Sequence, residues 1–150
     1  MRKLVVPNSF FAEAAEVLRS GQPVKLHVDG RSMYPFIHGG RDLILVEPYN
    51  PSDELPLFCC PFYQWQGTYM IHRYIGDTDE GLCRMLGDGN IVRVEEVKRE
   101  EIIGLLRTIY YPDGTEQDCR DPRWLRKARW WYRLRPLRRF LIPLLTRLGF

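Results

Sequence analysis

Ser32 sits in the run Asp29-Gly30-Arg31-Ser32-Met33-Tyr34-Pro35, two residues after a glycine and three before a proline. Gly30 permits a backbone turn that residues with a side chain resist. Pro35 fixes its own φ and pushes Tyr34 towards an extended conformation. A hydroxyl on such a stiff, turned segment is a mount for a nucleophile; the plainer alternative is a polar turn serine. A serine hydroxyl is a poor nucleophile until a base takes its proton, so the chemistry needs a partner elsewhere in the chain. Of the three histidines, His27 reads as a half-exposed strand residue and His38 as solvent-facing. His72 lies in Tyr69-Met70-Ile71-His72-Arg73-Tyr74-Ile75, an apolar run of strand character. Leu86-Gly87-Asp88-Gly89-Asn90 then gives a turn with an acid, and Glu101-Ile102-Ile103-Gly104-Leu105-Leu106 a last apolar segment.

The order of these stretches resembles the S24/S26 serine peptidases, which comprise type I signal peptidases and LexA-type self-cleaving repressors. That family carries a G-x-S-M-x-P box, a G-D turn before an apolar strand, a strand with K-R or H-R, a G-D-N turn and an I-I-G strand. Here the stations are Gly30 to Pro35, Gly39-Gly40-Arg41-Asp42 before Leu43 to Val46, His72-Arg73, Gly87 to Asn90, and Ile102-Ile103-Gly104. The likeness covers about Val24 to Ile109, and five individually weak motifs in sequence make it specific.

The resemblance implies a serine endopeptidase with Ser32 as nucleophile and Gly30, Met33 and Pro35 in the substrate-binding segment. Where LexA-type proteins and bacterial-type signal peptidases have lysine, this chain has His72, as in the endoplasmic-reticulum-type branch. Imidazole titrates near neutrality and is a base without deep burial, whereas lysine needs strong desolvation first. Asp88 matches the G-D position and is the candidate acid to orient His72. The branch carries a second acid about six residues on; Val94 stands there, with Glu95 beside it. Asp42 reads as a structural turn residue. The Ser32 N–H is the expected oxyanion donor. The substrate expected is a peptide or protein precursor, bound extended as an added strand, with small side chains at the first and third positions before the cut. Asp53 to Phe58 departs from the family pattern, replacing its G-D-x-V strand.

With 150 residues the chain can form one domain with a substantial core. Its net charge of +3 is unevenly divided: residues 120–150 hold ten Lys/Arg and one acid, a net +9, leaving −6 for residues 1–119. The organisation expected is therefore a peptidase-like domain over 1–119 and a basic, aromatic, partly helical tail over 120–150. Trp124, Trp130 and Trp131 either pack on the domain or join the arginines at a bilayer headgroup zone. The segment 137–150 reads as a peripheral membrane contact. Nucleic-acid binding is disfavoured. The four cysteines have no metal-ligand spacing, Cys59-Cys60 reads as a buried apolar pair, and no metal or cofactor is expected. The apolar run Leu4-Val5-Val6 stops at Pro7, too short for a secretory signal, and no stretch reaches the roughly 20 apolar residues of a membrane span. The expected location is the cytoplasm or the cytoplasmic membrane face.

The elements needed to position these residues are a mainly β, signal-peptidase/LexA-like fold with one N-terminal helix over about 9–20. Strands are expected over Val24–Val28, Leu43–Val46, Thr68–Ile75, Leu82–Leu86, Ile91–Val97 and Ile102–Tyr110, with a turn at Asp113-Gly114. Tyr63, Trp65 and Tyr69 either line a substrate groove or pair across a hairpin. The alternative to an enzyme is a catalytically inactive peptidase-fold module that binds peptides or a membrane surface.

Overall fold

The computed structural model describes residues 8–150; residues 1–7, on which the reading of a secretory signal rests, lie outside the described part. The chain is mainly β, with one N-terminal helix and two C-terminal helices. Helix α1 (Asn8–Arg19) is followed by β1 (Val24–His27), β2 (Leu43–Pro48), β3 (Pro61–Trp65), β4 (Thr68–Ile71), β5 (Arg73–Asp77), β6 (Cys83–Leu86), β7 (Val94–Val97), β8 (Ile102–Tyr110) and β9 (Glu116–Asp118). Helices α2 (Pro122–Arg133) and α3 (Arg138–Arg147) close the chain, joined by a short turn of 3-10 helix at Arg135–Leu137.

Two antiparallel sheets form. The larger runs β1-β2-β8-β3-β4, with β9 pairing β8; the smaller is β5-β6-β7. β8 is the long central strand, and Gly104 on it is needed for close packing. A Cβ there would come within 2.7 Å of the Val46 side chain and 2.8 Å of the Glu47 carbonyl.

Helix α1 buries the face carrying Ala14, Ala15 and Leu18 against Leu26, Ile44, Val46, Phe62, Ile71, Ile103, Leu106 and Ile109 of the larger sheet. The i, i+1, i+4 spacing of those three helix residues gives the helix its apolar stripe. Each large apolar side chain buried here stabilises the fold by about 1.5–3 kcal/mol. A second cluster, around Tyr63, Tyr74, Met85 and Val97, joins the two sheets.

One expected strand is divided. Thr68 to Ile75 does not run as a single element: β4 ends at Ile71 on the larger sheet and β5 begins at Arg73 on the smaller. His72 is the residue at the change of sheet. The run reads as one strand, and nothing in its composition marks the passage from the half-buried β4 to the buried start of β5.

The basic tail divides as well. Pro122 occupies the first turn of α2, and the Asp121 side chain caps it by accepting from the Arg123 N–H at 2.8 Å. Trp124 joins the main core, Ala128 joins a cluster with Phe58, Ile75 and Leu86, and Trp131 is also buried, so this face of α2 packs on the β structure. Trp130 is exposed, as are Leu134, Leu137, Phe140, Leu144 and Leu148. Among the described residues no helix is long and apolar enough to cross a membrane.

Candidate active site

The Ser32 turn is built between β1 and β2. Gly30 adopts φ +81°, and the Asp29 carboxylate accepts its N–H at 2.8 Å. Gly39 lies directly against Gly30, where a Cβ would meet the Gly30 carbonyl oxygen at 2.1 Å. The Gly40 N–H then donates to the Val28 carbonyl at 2.8 Å, closing the loop's neck. Asp42 is buried and accepts from the His38 N–H at 2.9 Å and the Arg41 Nε–H at 2.7 Å. It has the turn role expected of it. His38 is half-buried rather than solvent-facing, with its ring edge-on to Tyr34. Burial, then the nearby Arg41 charge, lowers its pKa.

A cleft of about 470 Å³ opens beside this turn. Its walls include Val28, Gly30, Ser32 and Met33 from the loop, Thr68 to Ile71 from β4, and His72. Phe11 from α1 and Arg93 from the approach to β7 complete its sides. Both end strands of the larger sheet thus contribute, β4 itself and the residues just after β1. Of the residues singled out in the sequence, Ser32, Gly30 and Met33 line the cleft. Pro35 does not; it follows a cis peptide bond within the turn and is no part of the cleft wall.

His72 is only 5% exposed, and its Nδ1 is hydrogen-bonded to Oε1 of Glu95, a carboxylate that is fully buried. Tyr63 donates its hydroxyl to the same Glu95 oxygen at 3.0 Å and stands 3.1 Å from His72 Nδ1. Burial, and then the Glu95 charge, raises the Tyr63 pKa, so the phenol remains a donor. With a carboxylate on Nδ1, that nitrogen carries the proton and Nε2 keeps a lone pair. The second Glu95 oxygen is 3.8 Å from Arg93 Nε.

The carboxylate against His72 is therefore Glu95, and Asp88 lies elsewhere. Asp88 takes a bidentate pair from Arg73, at 2.8 Å from Nε and 2.6 Å from Nη2, and both side chains are buried. The reason is alternation at the change of sheet: His72 and Arg73 are consecutive and point to different surroundings. Arg73 also donates to the Phe58 carbonyl at 2.7 Å and lies over the rings of Phe36 and Trp124. Burial alone would lower the Arg73 pKa, but the Asp88 charge outweighs it and the guanidinium is held above its ordinary range. Asp88 thus neutralises a buried arginine.

Register explains how Glu95 arrives. β7 pairs with β6 with Glu95 opposite Met85 and Val97 opposite Cys83, so Glu95 shares the buried face with Val97 while Glu96 points out. That parity was available as a signal: an acid two residues before a buried valine on an alternating strand. Tyr63 reaches Glu95 from β3. Of the other aromatics, Tyr69 lines the cleft and stacks on Phe62, and Trp65 lies under Arg93. Tyr63, Gln64 and Trp65 pair with Met70, Tyr69 and Thr68, so no aromatic stands directly opposite another in this hairpin.

The four cysteines are free and buried, and among the described residues no group of three or more His, Cys, Asp or Glu could hold a metal ion. Comparison with protein-family models, with curated proteins and with solved structures finds no match for this chain.

Proposed function

We propose that this chain is a serine endopeptidase of the signal-peptidase type, in which Ser32 attacks, His72 moves the proton and Glu95 orients His72. The observation that carries the reading is the buried His72–Glu95 pair, with Tyr63 on the same oxygen, in the wall of a cleft that Ser32 also lines. The motif order and the choice of histidine before Arg73 support it independently.

The chemistry follows from the protonation pattern. His72 Nε2 takes the Ser32 proton as Oγ bonds to the scissile carbonyl carbon. The oxyanion that forms is met by the Ser32 N–H. Glu95 stabilises the imidazolium and keeps Nδ1–H in place. Collapse breaks the C–N bond, and His72 gives its proton to the leaving amine. Water, deprotonated by His72, then cleaves the Ser32 ester and restores the enzyme. A peptide laid along the free edge of β4 would bind by main-chain hydrogen bonds, with Met33, Ile37, Tyr69 and Ile71 around its side chains. Its substrates are signal- or leader-bearing precursors with small side chains before the cut.

The place of action we infer is the cytoplasmic face of an anionic membrane. Leu137, Phe140, Leu144 and Leu148 are exposed at i, i+3, i+7 and i+11, and Trp130 on α2 and Leu134 just after it are exposed as well. Arg133, Arg139 and Arg147 flank it, and the net charge of +9 over residues 120–150 complements an anionic surface.

The test of the proteolytic reading is cleavage itself. Precursors with small residues at the first and third positions before a candidate cut are mixed with the protein and followed by mass spectrometry. Two product masses summing to the precursor plus one water, formed by the parent and not by Ser32→Ala, support it. An intact precursor bound equally by both proteins would instead make the chain a peptide-binding module.

A further inference from the structure

The basic tail does more than present arginines to a surface. Arg138, the first residue of α3, is buried although it carries a guanidinium and, among the described residues, has no carboxylate partner. Its Nη1 donates to the carbonyls of Asn90 at 2.9 Å and Gly87 at 3.2 Å, and its Nη2 to the Trp131 carbonyl at 3.3 Å. Trp131 of α2 gives its indole N–H to the Asp88 carbonyl at 2.8 Å. Three carbonyls of one four-residue turn are thus held by two side chains of the tail.

That turn lies directly on the nucleophile's backbone. The Gly89 N–H donates to the Ser32 carbonyl at 2.9 Å. A Cβ on Gly87 would come within 2.5 Å of the Ser32 carbonyl oxygen, and one on Gly89 within 2.1 Å of the Arg31 carbonyl oxygen. No slack separates the turn from residues 31–32, so a displacement of the turn is passed to Ser32. The tail also reaches the loop directly, where Arg31 Nη2 donates to Thr146 Oγ1 at 2.8 Å. None of these contacts involves His72, Glu95 or Tyr63 directly; the turn's link towards them is the Asp88 carboxylate on Arg73, the neighbour of His72.

We propose that Arg138 is a positioning residue for Ser32, acting through the Gly87–Asn90 turn, so that the α2–α3 tail belongs to the catalytic apparatus. The inference rests on the Ser32–His72 reading above and adds that the tail takes part in positioning the nucleophile. Burial, opposed by the Asp88 charge and helped by the Arg73 and Arg135 charges, lowers the Arg138 pKa to about 10, still well above neutrality, so the side chain keeps its charge. A charged fork can hold diverging carbonyls at once, and lysine offers a single point instead.

The test uses the full-length protein and three variants, Arg138→Lys, Trp131→Phe and Ser32→Ala. A fluorophosphonate reports the acylation of Ser32 as a maximal rate and a half-saturating concentration. Amide hydrogen exchange of Gly89 reports the contact with Ser32 independently of activity. A misplacement of about 1 Å costs on the order of a hundredfold, so Arg138→Lys should lower the maximal rate at least about tenfold. The half-saturating concentration should change less than about twofold, and Gly89 exchange should accelerate at least about tenfold, with an unchanged circular dichroism spectrum. Trp131→Phe keeps the ring and loses one hydrogen bond, so it should shift both readouts the same way by about threefold to tenfold. Parent-like Gly89 exchange and a parent-like maximal rate in both variants would overturn the proposal. So would a fall in rate that only tracks the unfolded fraction. If the parent is labelled no faster than Ser32→Ala, it is the peptidase reading that fails, and Gly89 exchange still decides whether Arg138 holds the turn against Ser32.

Discussion

Glu95 on β7 and His72 at the junction of two sheets are 23 residues apart in sequence, yet Oε1 of one lies on Nδ1 of the other, with both side chains buried. A buried carboxylate is costly to desolvate unless its charge is matched or hydrogen-bonded. Here one oxygen receives both the imidazole N–H and the Tyr63 hydroxyl. Such a pair fixes the tautomer that leaves Nε2 free to act as a base.

Glu95→Gln should therefore lower the turnover number by about a hundredfold to ten-thousandfold, because an amide can present its N–H to Nδ1 and favour the wrong tautomer. Steady-state kinetics on a cleavable precursor measures this. An unchanged turnover number would remove Glu95 from the catalytic group.

Asp88→Asn should fail in a different way. It leaves the Arg73 charge buried without its carboxylate, a loss on the order of 3–5 kcal/mol. Thermal or urea unfolding should show this, and any activity lost should follow the unfolded fraction. Full stability with a large fall in turnover would return Asp88 to the catalytic role that its motif position suggested.

Tyr63→Phe removes one hydroxyl donor from Glu95 and little volume. The expected cost is about 1 kcal/mol in stability, from one hydrogen bond. Urea unfolding measures this, and parent-like stability would contradict the assigned role.

The thiols should be silent in the folded state. Burial pushes the Cys60 pKa up to about 12 from an ordinary 9.0, and Cys59 and Cys119 are raised by the same cause. An aromatic disulfide reagent at pH 8 should find no fast-reacting thiol before denaturation and four after it. The sign of the linkage follows. The unfolded chain releases these protons first, so stability should decline as pH rises from about 9 towards 12. A rising stability across that range would contradict it.

Binding to vesicles should depend on lipid charge. The protein should co-sediment with anionic vesicles and not with neutral ones, more weakly as salt rises, and the double variant Phe140→Ser, Leu144→Ser should reduce pelleting. Equal pelleting with both lipids would rule out the membrane face of α3.

Much of this arrangement was legible in the sequence. The strand Ile102–Tyr110 has the bounds that its apolar run indicated, and α1 lies within two residues of its expected ends. Ser32 and His72, both singled out in the sequence, line one cleft. Three things were hidden for physical reasons. The break at His72 leaves no mark in the composition of a run that is half-buried before it and buried just after it. Asp88 has the motif position, but its carboxylate is occupied by Arg73, the neighbour of the histidine it was expected to serve. In the sequence Glu95 figures only as the neighbour of the family's second-acid position, and strand parity is what favours it over Asp88, because the two acids of Val94-Glu95-Glu96-Val97 look like a solvated edge. The tail's two roles overlap in composition: tryptophan and arginine serve the core at Trp124, Trp131 and Arg138 and remain exposed at Trp130 and Arg139.

The most direct measurement of the central claim is acylation at Ser32. Intact-protein mass spectrometry after treatment with a fluorophosphonate should show one adduct, which peptide mapping places on Ser32. Ser32→Ala should show none, and His72→Ala should react at least about a hundredfold more slowly, since the serine then lacks its base. An unmodified parent, or equal modification of the parent and Ser32→Ala, would contradict a serine peptidase built on Ser32 and His72.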